Sequence, residues 1–267
     1  MKRIHLFEIE DMPWFPDSLR QCITRLIVVM HRLLGSPGEL ATLLNRALKY
    51  ASKPVIIDLC SGSGGPMPEV FDTLKAKHGI DGLKLVLTDL YPNREMASRI
   101  NRESDGSITY LTESVNAANL DSGKQGVRTM VGSFHHMRPE VAHNILKNAK
   151  ESRQPICVYE VSDNSIPIWL WWIALPMNFL MVFFITPMVR PLTWQQLVFT
   201  YLIPVIPLCF AWDGAVSNAR TYTLTDLDEL LFGLNTAEYR WEKGRVGGRL
   251  KKLYLFGLPI DKAYGKE

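Results

Sequence analysis

Apolar positions Leu19, Ile23, Leu26, Ile27, Met30, Leu33 and Leu34 recur at helical spacing between about Pro16 and Gly35, and a weaker repeat runs from Gly38 to Tyr50. The pattern predicts two N-terminal helices. After Lys53-Pro54 it changes to short β-branched runs at Val55–Asp58, Leu83–Asp89, Ile108–Leu111, Val127–Val131 and Ile156–Glu160. Helical stretches separate them at Pro66–His78, Asn93–Arg102 and Pro139–Lys150, so the fold class is α/β with a mostly parallel sheet. Past residue 220, Thr223 to Leu231 opens with a hydroxyl cap and an acidic first turn, which predicts a last helix. Glu238–Val246 and Leu250–Leu258 flank Gly247-Gly248 and predict a closing antiparallel β-hairpin.

Residues 166–212 break this rhythm. Ile166 to Val189 is an apolar run interrupted only by Asn178 and Thr186, long enough for a hydrocarbon core of roughly 30 Å. The second run, Leu197 to Trp212, carries Pro204 and Pro207. A helical hairpin dipping into one leaflet is expected, with Trp169, Trp171, Trp172, Trp194 and Trp212 at interfacial depth. A buried cap over an apolar substrate pocket would use the same surface. The organisation expected is an N-terminal helical cap (1–53), a core (54–165), an apolar membrane or substrate insert (166–212) and a C-terminal helix with hairpin completing the core (213–267).

Composition narrows the function. With 30 Lys+Arg against 27 Asp+Glu, the chain is not a polybasic nucleic-acid binder, and no nucleic-acid partner is expected. Hydrophobic residues at 47% beside 21% charged suit one globular domain with an apolar attachment, not a bundle of spanning helices. Cys22, Cys60, Cys157 and Cys209 form no C-x-x-C pair, so neither a zinc nor a redox site is expected from them. The N-terminus turns acidic at Glu8, Glu10 and Asp11 before any apolar run, unlike a secretory signal. The expected location is the cytoplasmic face of a membrane.

The chemistry concentrates in Val55-Ile56-Ile57-Asp58-Leu59-Cys60-Ser61-Gly62-Ser63-Gly64-Gly65-Pro66, an apolar strand running into a glycine-rich turn that opens a helix. Gly62 and Gly64 let a ligand approach the backbone at the carboxyl edge of the sheet. Asp89 ends the next strand, 27 residues after Gly62, where a carboxylate grips ribose hydroxyls. The loop is not G-x-G-x-x-G, and Asp58 inside it would repel a pyrophosphate yet could hold an ammonium group. That favours S-adenosyl-L-methionine over nicotinamide, and the absence of G-x-x-x-x-G-K-[ST] disfavours an NTPase.

At these residues the sequence resembles the class I S-adenosylmethionine-dependent methyltransferases, over residues 54–162 and from about 221 to 258. The loop from Asp58 to Gly64 is most similar to the D-L-C-C-G-T-G variant of ubiquinone and menaquinone biosynthesis methyltransferases. The resemblance implies a Rossmann-like sheet and a cofactor site made of Asp58, Cys60, Ser61, Gly62, Ser63 and Gly64 in the loop. It also implies Asp89 on the ribose, Asn116 on the adenine amine, and Ser133 after the fourth strand. Cys60 replaces the first glycine of the common pattern, and Asn116 the usual Asp.

Gly132 to Pro139 resembles the L-H-H-L-P segment of the same enzymes, which makes His135 and His136 candidates to orient or deprotonate an acceptor. A histidine that only bonds its loop is the alternative, since methyl transfer from a sulfonium often needs alignment alone. Glu160 closes the fifth strand as a candidate base, or as a partner of Arg128 or Arg220; Asp163 lies beside it. Asp213-Gly214 and Arg220-Thr221-Tyr222 return the chain toward the site or form a simple turn. Trp14 and Phe15 are either acceptor contacts or core. His135, His136 and His143 have no metal-ligand spacing, so no metal is expected.

The sequence therefore predicts a methyltransferase acting on a hydrophobic or lipid-like small molecule, with membrane contact through 166–212. The competing readings are a membrane-associated cofactor-binding protein without turnover, an NAD-dependent lipid reductase and an aminopropyltransferase.

Overall fold

The structure is a computed structural model and describes residues 1–165, 167, 170–248 and 251–260, without the side chains of Trp171 and Trp172. The expected interfacial roles of Trp169, Trp171 and Trp172, and the hairpin start at Leu250, lie outside what is described. Five parallel strands form the centre: β1 (Val55–Leu59), β2 (Lys84–Asp89), β3 (Ile108–Ser114), β4 (Val127–Val131) and β5 (Ile156–Glu160). The hairpin of β6 (Tyr239–Val246) and β7 (Lys252–Pro259) adds antiparallel to β5. Sheet order is β3-β2-β1-β4-β5-β7-β6, so the chain reverses direction across the sheet between β1 and β4. Open α/β sheets bind ligands at such a switch point.

Helices α1 (Asp17–Leu33), α2 (Ser36–Leu48), α3 (Met67–His78), α4 (Arg94–Glu103) and α5 (Pro139–Glu151) fall within two residues of their expected bounds. Leu40, Leu44, Val70, Phe71 and Leu74 cover one sheet face; Ile145, Leu146 and the last helix cover the other. Central strands are buried on both faces, which is why they read as continuous apolar runs.

The insert folds as α6 (Trp171–Ile185), a short α7 (Trp194–Leu197) running into a π turn at Val198–Leu202, and α8 (Val205–Arg220). The chain turns sharply ahead of α8, beside Pro204, as the prolines predict. One correction follows: α8 runs past Trp212 through Asp213-Gly214 to Arg220, so these residues are helical and not a turn. Phe15, Leu19, Ile23 and Leu26 pack against Val182, Ile185, Val189, Ile206 and Phe210, a third core away from the sheet. The last helix, α9 (Leu224–Leu230), starts at a capping box in which Thr223 and Asp226 satisfy each other's backbone N–H.

Residues 1–15 form a strap that precedes α1. Ile4 N donates to Ala219 O at 2.9 Å, and Arg3 lies over the Tyr222 ring while donating to His135 O. The strap thereby reaches the carboxyl edge of the sheet.

Candidate active site

The turn after β1 depends on left-handed backbone at Cys60 (φ 58°), Gly62 (φ 53°) and Gly64 (φ 93°). Glycine takes this conformation freely, whereas Cys60 bears a cost of about 1–2 kcal/mol that the loop's bonds must hold. They do so through Asp58. Its side chain is 3% exposed, and its oxygens accept from Ser61 Oγ and Thr129 Oγ1, each at 2.6 Å. Ser61 Oγ in turn accepts from Thr88 N, so one buried carboxylate joins β1, β2 and β4. Burial, opposed by those two hydroxyls, raises the Asp58 pKa to about 7.

Asp89 behaves differently. It is half-buried at the end of β2, accepting from Gly62 N and Tyr91 N, each at 2.8 Å. Each oxygen keeps a lone pair for a ligand. Tyr110 Oη donates to Gly62 O at 2.6 Å and fixes the loop from the β3 side. Nothing lies within 4 Å of where a Gly62 side chain would begin, while one on Gly64 would press Ile100 at 3.4 Å. Gly62 faces open space and Gly64 packs the loop onto α4. Cys60 and Ser63 are half-buried beside them. Asn116 is exposed after β3, and its Oδ1 accepts from Ala118 N, which leaves its amide N–H groups free to turn outward. Ser133 Oγ is buried just after β4, with no hydrogen-bond partner among the described residues.

Next along the edge, His135 is buried, and its backbone N and Nδ1 both meet the Glu160 carboxylate, at 3.0 and 2.8 Å. This corrects the expected pairing of Glu160 with Arg128 or Arg220. Arg128 instead donates to Asn148, and Arg220 pairs with Glu8 at 3.2 Å and Asp11 at 2.8 Å. His136 stacks on His135 with ring centres 4.3 Å apart, and its Nδ1 is 3.2 Å from Asp11. Burial pulls the His136 pKa down, but Asp11, Glu8 and Glu10 outweigh it and raise it to about 9.

The structure thus brings Asp58, Cys60, Ser61, Gly62, Ser63, Gly64 and Asp89 into one loop cluster, and His135, His136 and Glu160 into a second. His143 bonds the Leu230 carbonyl, and Asp163 pairs with Arg245. Phe15 is core and Trp14 exposed. The sequence reading missed Glu8, fully buried against Arg220, and His31, buried on α1 near Gly132 and pushed by burial to a pKa of about 4. Three acids within four residues of the strap were the available sign of Glu8; nothing in the α1 pattern separates His31 from a surface histidine.

No family model matches the sequence, and no curated protein matches it. Among solved structures, the plantazolicin methyltransferase BpumL in complex with SAH aligns with a TM-score of 0.51 at 9% identity, covering 91% of this chain and 98% of that one. The plantazolicin methyltransferase BamL, with a triazolic desmethylPZN analog and SAH, gives 0.52 at 9% identity with the same coverage. The chain has the fold of these methyltransferases. Its seven-stranded sheet, mostly parallel with a C-terminal antiparallel hairpin, agrees with the expected fold class.

The Asp58 arrangement predicts a specific pH dependence. The folded state holds the Asp58 proton more tightly than the unfolded chain, whose value is near 3.8, so this group's contribution to stability falls as pH rises from about 4 to about 7. In urea titrations the stability of wild type minus that of Asp58→Asn should decline across this window and level off above it. A difference independent of pH would show that Asp58 is ionised throughout.

Proposed function

We propose that the chain is an S-adenosyl-L-methionine-dependent methyltransferase acting on a hydrophobic or lipid-like small molecule at a membrane surface. The observation that carries the reading is the half-exposed Asp89 carboxylate, clamped by Gly62 N beside an open glycine turn at the sheet's switch point. Its residues suit the cofactor: Asp89 has free lone pairs for two ribose hydroxyls, Gly62 leaves room for close approach, and Ser133 offers a buried hydroxyl with no partner among the described residues. When bound, the cofactor supplies an electrophilic methyl on a sulfonium.

The chain's own residues bind and align. Cys60, Ser61, Ser63 and Gly64 shape the loop, Asp58 anchors it from below, and the exposed Asn116 would meet the adenine edge. His135, fixed in orientation by Glu160, and His136 lie along the same sheet edge and would receive the acceptor's heteroatom. Alignment supplies most of the rate acceleration in such a displacement, so rigidity of this edge matters more than a strong base.

The acceptor class comes from the insert. Ile173, Met177, Leu180 and Phe184 form an exposed apolar stripe on α6, and Leu202 and Leu208 on the following helical segments are exposed as well. Isolated exposed apolar residues are ordinary; a continuous stripe of this kind marks an interaction surface. Among the described residues no single helix is long and apolar enough to cross a membrane; Trp194–Leu202 and Val205–Arg220 form an apolar pair bent by 83°, but Val205–Arg220 is largely buried, so the α6 stripe is the surface that would meet a leaflet. A quinol, a lipid headgroup or another apolar metabolite would be met there. The quinone-type subfamily rests on the loop spelling alone.

Calorimetric titration of S-adenosylhomocysteine into detergent-solubilised protein tests the pocket. Micromolar binding is expected, weakened roughly 100-fold or more in Asp89→Ala, because two charge-assisted bonds of about 1.5–3 kcal/mol each are lost. Folded protein that binds nicotinamide and not S-adenosylhomocysteine would refute the reading. Flotation with anionic phospholipid vesicles tests the surface: wild type should float, and Phe184→Glu with Leu202→Glu should cut binding at least about tenfold, since each buried side chain contributes about 1.5–3 kcal/mol. Equal flotation of the two proteins would exclude this stripe as the contact.

A further inference from the structure

Three side chains converge where the strap meets the turn after β4. Glu8 has no exposed surface, His135 is 5% exposed, and His136 lies beside them at the more open side. One ligand-capable atom from each lies within 4.8 Å of the others. Glu160 accepts at His135 Nδ1, so that nitrogen carries the proton and Nε2 presents a lone pair. Asp11 lies 3.2 Å from His136 Nδ1, and Arg220 Nη1 is 3.3 Å from the same nitrogen. Both Nε2 atoms face the Glu8 carboxylate, His135 at 3.7 Å from Oε1 and His136 at 3.5 Å from Oε2.

Arg220 offsets the Glu8 charge from one side, and a metal ion on the other side would take the place of a proton on His136 Nε2. The 3.7 Å between His135 and Glu8 is too long for a hydrogen bond, and among the described residues the buried His135 Nε2 and Glu8 Oε2 have no hydrogen-bond partner. Glu8 Oε1 is held separately by Ser217 Oγ and Arg220. Tetrahedral coordination at about 2.0–2.1 Å would separate neighbouring ligand atoms by roughly 3.3 Å, close to the 3.5 Å between His136 Nε2 and the free Glu8 Oε2.

We propose that Glu8, His135 and His136 form a mononuclear site for a divalent first-row transition-metal ion, oriented by Glu160 and Asp11. Two imidazoles and one carboxylate favour such ions over Mg²⁺ or Ca²⁺, which prefer oxygen donors throughout. A carboxylate on the far nitrogen of each imidazole is the partner that metal-bound histidines ordinarily carry. Three protein ligands leave a further position for water or an acceptor heteroatom, and His136 is the open side. Sequence spacing concealed the set because Glu8 is 127 residues from His135 and His143 belongs elsewhere. The inference does not depend on methyl transfer.

The test uses tag-free full-length protein stripped with chelator and titrated with Zn(II) and Co(II). One equivalent of each should bind at micromolar concentration or below, and Co(II) should give ligand-field bands of a nitrogen and oxygen site without thiolate charge transfer. His136→Gln, at the open side, should weaken binding beyond the roughly 10–100-fold that loss of an orienting partner costs, and Glu160→Gln should fall within that range. S-adenosylhomocysteine binding, which uses the other cluster, should survive in both variants, so this proposal and the cofactor reading can fail separately. Folded wild type that takes up neither ion, a thiolate spectrum, or affinity unchanged in His136→Gln would overturn the assignment.

Discussion

A carboxylate with no exposed surface organises the edge on which the chemistry is placed. Removing Glu8 from water costs several kcal/mol, and that cost can be offset only if a cation or donors are held against it. Arg220, itself 4% exposed, does this at 3.2 Å while donating to the Leu6 carbonyl and Asp11. The strap, the end of α8 and the histidine turn must therefore assemble together. Neither the strap nor α8 can leave without stranding a buried charge.

This coupling changes how the apolar insert is understood. Val182, Ile185, Val189, Ile206 and Phe210 complete the core of α1, and α8 carries the arginine that neutralises Glu8. The insert is thus part of the fold on one face and an exposed apolar surface on the other.

The two aspartates at the glycine turn differ in accessibility more than in chemistry. Asp58 is enclosed and spends both oxygens holding left-handed backbone at Cys60 in place; Asp89 is half-open and offers lone pairs outward. Their positions were legible in the sequence because a strand, a glycine turn, a helix and a strand-ending acid are all local features. β4 and β5 fell on their expected bounds for the same reason, both being short apolar runs bounded by turn residues. What stayed hidden depends on contacts between distant segments. Glu160 could not be matched to His135, nor Glu8 to Arg220, because each pairing is set by how the strap and α8 dock and not by spacing. Asp213-Gly214 misled for a related reason: a glycine beside an acid is a good turn signal, yet here Asp213 accepts from Ile9 N and Glu10 N and stays within α8.

The central claim is that one edge of this sheet brings a methyl donor and an apolar acceptor together. The most direct measurement is transfer of isotope-labelled methyl from S-adenosylmethionine into the organic phase of a membrane lipid extract. Wild type should label an extractable species, and Asp89→Ala should leave that phase at background. Folded wild type that binds S-adenosylhomocysteine yet labels nothing in extracts from several membranes would contradict the account.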